Sequence, residues 1–113
     1  MNRIIAIIKP NMLDDVVFAL HKIEDFPGAT MTEVRGMGQG FKRHVQEKSQ
    51  YSPFGYPVQV RIEVVCLESQ TEEIIRTIEQ SARTGKSGDG KIFISPVDEA
   101  VRIRTGERGK AVV

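Results

Sequence analysis

A single α+β domain in β-α-β-β-α-β order is what the sequence predicts, from three observations. Apolar, β-branched runs of strand length recur at 3–8, 29–35, 58–65 and 91–95. Between the first two runs, and again between the last two, the apolar residues change to helical spacing. Glycine and proline punctuate the boundaries.

Each element follows from its residues. The first run stops at Lys9-Pro10 and reads as a buried strand. Asn11 is the expected cap of a first helix in which Leu13, Val16, Val17, Leu20 and Ile23 line one face. Phe26-Pro27-Gly28 breaks that period, and Thr30, Thr32 and Val34 restore strand character. Gly36-Met37-Gly38-Gln39-Gly40 ends the second strand, and no hydrophobic period returns until Val58; so long a polar gap reads as a functional or disordered loop. Val58, Val60, Ile62 and Val64 alternate with Gln59, Arg61, Glu63 and Val65 as a third strand. Ser69-Gln70-Thr71-Glu72 is the expected capping box of a second helix carrying Ile74, Ile75, Ile78 and Ala82 and ending at Gly85. Residues 91–95 form the fourth strand and 102–105 a short C-terminal strand. This order is the split βαβ of the ferredoxin-like sandwich, one domain over 1–113 with a long central loop at about 38–57.

Composition narrows the functional classes. At 113 residues, 40% hydrophobic, the chain has a modest core, for which oligomerisation is a natural supplement. A net charge of +1 with no basic run argues against nucleic acid as partner. The positive charge is local, with seven basic against four acidic residues between 83 and 110. Cys66 is the only cysteine, which excludes an internal disulfide and an all-cysteine metal site; it reads as a small buried hydrophobe. His21 reads as a surface or satisfied histidine. No stretch has the apolar length of a signal peptide or a membrane span, so the expectation is a cytoplasmic protein without membrane insertion.

The chemistry concentrates in Thr84-Gly85-Lys86-Ser87-Gly88-Asp89-Gly90-Lys91-Ile92-Phe93. Glycines allow φ > 0 and bring backbone N–H groups close to an anion, while Lys91 adds a point charge, the makings of a phosphate cradle. Gly85, Gly90 and Lys91 satisfy G-x-x-x-x-G-K, but Ile92 stands where a P-loop has Ser or Thr, and the segment runs from helix to strand. Further on, Arg102-Ile103-Arg104 sets two guanidiniums at period-two spacing, on one face if the segment is a strand, which suits a polyphosphate. No Ser-His-Asp set or paired carboxylates appear, so catalysis is not expected.

The glycine segment, with Ser95-Pro96-Val97 and Arg102-Ile103-Arg104-Thr105-Gly106-Glu107, resembles the PII signal-transduction family, the nitrogen regulatory proteins. Ala6-Ile7-Ile8-Lys9-Pro10, Thr32-Glu33-Val34, Gly36-Met37-Gly38 and Arg61-Ile62-Glu63-Val64-Val65 extend the likeness along nearly the whole chain. The resemblance implies a homotrimer that binds ATP or ADP in clefts between subunits and controls a protein partner, a transporter, enzyme or regulator, through a mobile loop. It implies that Gly88, Asp89, Gly90 and Lys91 hold the phosphates with Arg102 and Arg104, and that Thr30, Gly38, Gln39, Val65 and Ile103 complete the site. Lys42, Arg43, His44, Tyr51, Phe54 and Tyr56 are the expected partner-facing loop residues, although scattered loop charges are equally what a solvated surface carries and the aromatics equally suit packing on the trimer.

Two departures from the family pattern matter. Gln59 stands where the family carries a lysine that pairs with a carboxylate of 2-oxoglutarate, and Gly38-Gln39-Gly40-Phe41 alters the turn whose glutamine meets magnesium and that effector. Standard 2-oxoglutarate sensing is therefore not expected, and an accompanying magnesium ion is left open. The alternative is a trimeric ferredoxin-like binder of metal or small molecules resembling the divalent-cation tolerance proteins; Lys91, Arg102 and Arg104 favour the first reading, and no metal-ligand spacing is present.

Overall fold

The computed structural model describes residues 1–38 and 55–113. Strand β1 (Asn2–Ile8), helix α1 (Leu13–His21), strands β2 (Thr30–Arg35) and β3 (Val58–Cys66), helix α2 (Thr71–Ala82) and strand β4 (Lys91–Pro96) follow in the expected order. The sheet is antiparallel throughout, in the order β2-β3-β1-β4. Both crossovers place their helices on one face, which gives the ferredoxin-like sandwich.

The period-two pattern decides which face is buried. Ile4, Ala6 and Ile8 of β1 and Val60, Ile62, Val64 and Cys66 of β3 point to the helices, where they meet Val16, Leu20 and Ile23 from the first helical segment and Ile74, Ile78 and Ala82 from α2. A one-residue slip would turn every one of these side chains out of the core, so the register is strongly specified. Cys66 is fully buried, while His21 is exposed.

Three local expectations give way to tertiary contacts. Asn11 does not cap α1: Pro10 opens a 3-10 turn over Pro10–Met12, with its fixed φ suited to that first position, and the helix begins one residue later without a side-chain cap. The Ser69/Glu72 box is replaced by a 3-10 turn over Glu68–Gln70, in which Leu67 N–H donates to Gln70 Oε1 at 3.1 Å. The helix starts at Thr71 because that residue is buried, accepting from Asn2 Nδ2 at 3.0 Å and donating to the Leu67 carbonyl at 3.2 Å. The C-terminal strand reduces to a single bridge between Val101 and Arg108, and residues 103–105 form a turn.

Candidate functional site

The glycine segment is a loop bonded to itself. Asp89 Oδ2 accepts from Thr84 N–H and Gly85 N–H, each at 2.9 Å, and Oδ1 accepts from the Thr84 hydroxyl at 2.5 Å. Lys9, at the end of β1, reaches the same place: its Nζ lies 3.1 Å from Asp89 Oδ1 and donates to Thr84 Oγ1 at 3.1 Å. The Thr84 hydroxyl above all, with the two N–H donors and Lys9, holds the Asp89 carboxyl well below the usual carboxylate range despite the opposing effect of burial. The Asp89 side chain, among the residues expected to hold phosphate, faces its own loop.

Gly90 fixes this loop against the sheet. With φ at +101°, a Cβ there would lie 1.6 Å from the Ile7 carbonyl oxygen, so only glycine fits. Gly88, at φ +87°, also uses the left-handed region. Lys91 then begins β4, opposite Ile7, exposed and without an ion-pair partner among the described residues. Asp89, Gly90 and Lys91 border a groove of about 360 Å³ whose floor is Ile78, Ala82, Ile92 and Ile94.

The arginine pair lies elsewhere. Gly106, at φ +74°, turns the chain back so that Gly106 N–H donates to the Arg102 carbonyl at 2.7 Å and Arg102 N–H to the Glu107 carbonyl at 2.9 Å. Arg102 Nη1 is paired with Glu107 Oε1 at 3.1 Å, while Ile103 is fully exposed at the tip with Arg104 beside it. The two guanidiniums are thus not ranged along one strand face. Thr30 and Val65 border a second cavity of about 630 Å³ together with Val101 and Val112 of this C-terminal region.

The expected site residues are spread along the sheet. Gly38 follows β2, whose Arg35 pairs with Val58, and so lies at the end where Ile8 meets Val60 and Ile7 meets Lys91. Thr30, level with Ile5, and Val65, level with Arg3, border the second cavity with Val101, the residue before Arg102. Lys91 is level with Ile7, so Thr30 and Val65 stand two and four residues away from it along the sheet, about 7 Å and 14 Å at the usual strand rise.

At the root of the central segment, Gly36 N–H donates to the Pro57 carbonyl at 3.1 Å and Arg35 Nη1 to the Tyr56 carbonyl at 2.7 Å. The Gln59 side chain packs on Gly36, where a Cβ would meet its Oε1 at 1.8 Å. Gln39, Lys42, Arg43, His44, Tyr51 and Phe54 lie outside the described residues.

Lys9 is the residue that sequence reasoning missed. In the sequence Lys9-Pro10 marked the end of a strand and, with Ala6-Ile7-Ile8, part of the family likeness, and nothing local ties Lys9 to a loop 75 residues away. Its position directly after an all-buried β1 face was the available signal.

The family model described as "Nitrogen regulatory protein P-II" matches residues 1–107. The chain belongs to the nitrogen regulatory protein P-II family. It is 48% identical over 111 residues to the nitrogen regulatory protein P-II of Azospirillum brasilense and 46% identical over 111 residues to that of Rhodospirillum rubrum, covering 96% of this chain and of each relative. It is 44% identical to nitrogen regulatory protein P-II 2 of Methanothermobacter thermautotrophicus over all of this chain and 97% of that one. As a P-II protein it is a regulatory signal transducer and not an enzyme. Among the described residues no helix is long and apolar enough to cross a membrane, and no three His, Cys, Asp or Glu side chains gather where they could hold a metal ion.

Proposed function

We propose that this P-II protein is a cytoplasmic homotrimer that binds ATP or ADP between neighbouring copies and controls a protein partner, such as a membrane transporter, through the segment at about 38–57. The observation that carries this reading is that the expected residues are spread along one sheet and line two separate cavities, Lys91 one of them and Thr30 and Val65 the other. Gly38 and the Gly88–Lys91 loop offer backbone N–H groups and a free ammonium, and Thr30, Val65 and the Arg102–Arg104 turn offer walls and guanidiniums. Copies joined head to tail in a closed ring would bring the first cavity of one copy against the second cavity of the next. The triphosphate then lies between Lys91 of one copy and Arg104 of the next, where charge-assisted bonds are strong.

Gln59 sets the effector response. Its neutral amide lies on Gly36 at the root of the central segment, where a lysine would supply positive charge beside an incoming dicarboxylate. We read the chain as responding to the ATP/ADP ratio or to another small anion, and as indifferent to 2-oxoglutarate. Calorimetry tests both parts: ATP binds in the micromolar range, and millimolar 2-oxoglutarate leaves that affinity unchanged. Absence of ATP binding by the folded wild type defeats the nucleotide reading. A tightening of about tenfold by 2-oxoglutarate, roughly 1.4 kcal/mol of coupling, defeats the effector reading alone.

A further inference from the structure

We propose that Lys9 is the positioning residue of the phosphate-facing loop, holding Asp89 turned away so that Lys91 is left free for an anionic ligand; this rests on the nucleotide reading above. The geometry carries the inference. Asp89 lies two residues before Lys91 in a loop built to receive negative charge, where a loose carboxylate would repel a phosphate and pair with the very lysine the phosphate needs. Instead its oxygens are engaged by Thr84 N–H, Gly85 N–H, the Thr84 hydroxyl and Lys9 Nζ. Lys9 is the only cation of that set and also donates to Thr84 Oγ1, so one ammonium both cancels the carboxylate charge and joins the two ends of the loop. Its stem lies along the loop, its Cε within 3.6 Å of where a Cβ on Gly88 would be. Lys9 is set by β1, whose Ile7 carbonyl also limits Gly90, so the loop takes its position from the sheet through two adjacent points. Thr84 and Gly85 N–H are already occupied, which leaves the Gly88–Lys91 part of the loop to meet a ligand.

Removing the ammonium while keeping the stem, K9M, is expected to weaken ATP binding by about tenfold, the usual scale for one coupled charge. K9R, which keeps the charge, is expected to bind within about threefold of wild type. The deciding variant is K9M/D89N: if the harm in K9M comes from a released carboxylate, neutralising that carboxylate restores part of the affinity, whereas a purely structural loss only accumulates. Calorimetric titration of ATP into the full-length protein reads all three. K9M binding as wild type, or K9M/D89N binding no tighter than K9M, overturns the proposal. Amide exchange without nucleotide gives an independent reading, with Thr84 and Gly85 exchanging faster in K9M than in wild type; unchanged exchange overturns the clamp even if ATP binds, and absence of ATP binding by wild type defeats the nucleotide reading instead. If K9M does not fold, K9Q serves in the same comparisons.

Discussion

The glycine loop and the C-terminal turn both carry charges suited to a phosphate, yet they are built in opposite ways. The loop at 84–90 is closed by an ion pair and several hydrogen bonds reaching from Lys9 and Asp89, and Gly90 is pressed against the backbone of β1. The turn at 101–108 is held by its own backbone and one exposed ion pair, and it leaves Ile103 wholly in solvent. A loop completed within one chain is preorganised for a ligand, which lowers the ordering cost of binding. A turn that exposes an isoleucine between two arginines is suited to meeting a neighbouring copy, since large apolar side chains of that kind gain most from burial.

The largest effect is expected from glycine replacement in the loop, with Gly36, outside both regions, as the control. G90A forces a methyl group into the Ile7 carbonyl oxygen at a positive φ, and neither backbone can move away, so destabilisation of about 3 kcal/mol is expected. For a domain of this size that lowers the thermal midpoint by at least ~10 °C, read by calorimetry. G36A meets only the movable tip of Gln59 and is expected to stay within about 1 kcal/mol of wild type. Equal losses in the two variants would show that the loop's contact with β1 is not what distinguishes it.

Nucleotide affinity sharpens the comparison further. K91A and R104A, one from each region, are each expected to weaken ATP binding by about 30-fold, near 2 kcal/mol, because each strips a charged anchor from a shared ligand. Co-expression of the two variants should restore part of the binding, since mixed oligomers contain interfaces with both intact residues. Failure of co-expression to restore any site would place both residues on one chain's pocket and contradict the shared cleft.

Acid should act on the loop and spare the turn's backbone. The folded-state pKa of Asp89 is depressed, chiefly by the Thr84 hydroxyl, so its contribution to stability is fully present above the unfolded-state pKa near 4 and fades as pH falls below it. Exchange at the Thr84 and Gly85 amides should therefore rise as pH drops below about 4, beyond its intrinsic pH dependence, and D89N should abolish that step. A flat protection profile would remove the clamp from the account of the loop.

The smallest effect belongs to the turn. Arg102 is half-buried and Glu107 exposed, and E107Q is expected to cost only a few tenths of a kcal/mol, with a thermal midpoint within about 2 °C of wild type. A larger fall would mean that the ion pair, and not the Arg102–Glu107 and Gly106–Arg102 backbone bonds, shapes the turn.

By itself the sequence determined the element order, the buried face of each strand and helix, and the place of the glycine loop. These are legible because periodicity and left-handed glycines are local properties: Ile4, Ala6, Ile8 and Val60, Ile62, Val64 announce their face at spacing two, and Gly90 announces a backbone conformation that other residues avoid. Only the tertiary structure decided which partner each polar group takes. Thr71, buried against Asn2, moved the start of α2 away from Ser69; Lys9 claimed Asp89 from across the chain; and Arg102 took Glu107 as its partner in a turn, off any strand face. Short polar side chains have several acceptors and donors within local reach, and the choice among them is made by burial and by neighbours that are distant in sequence.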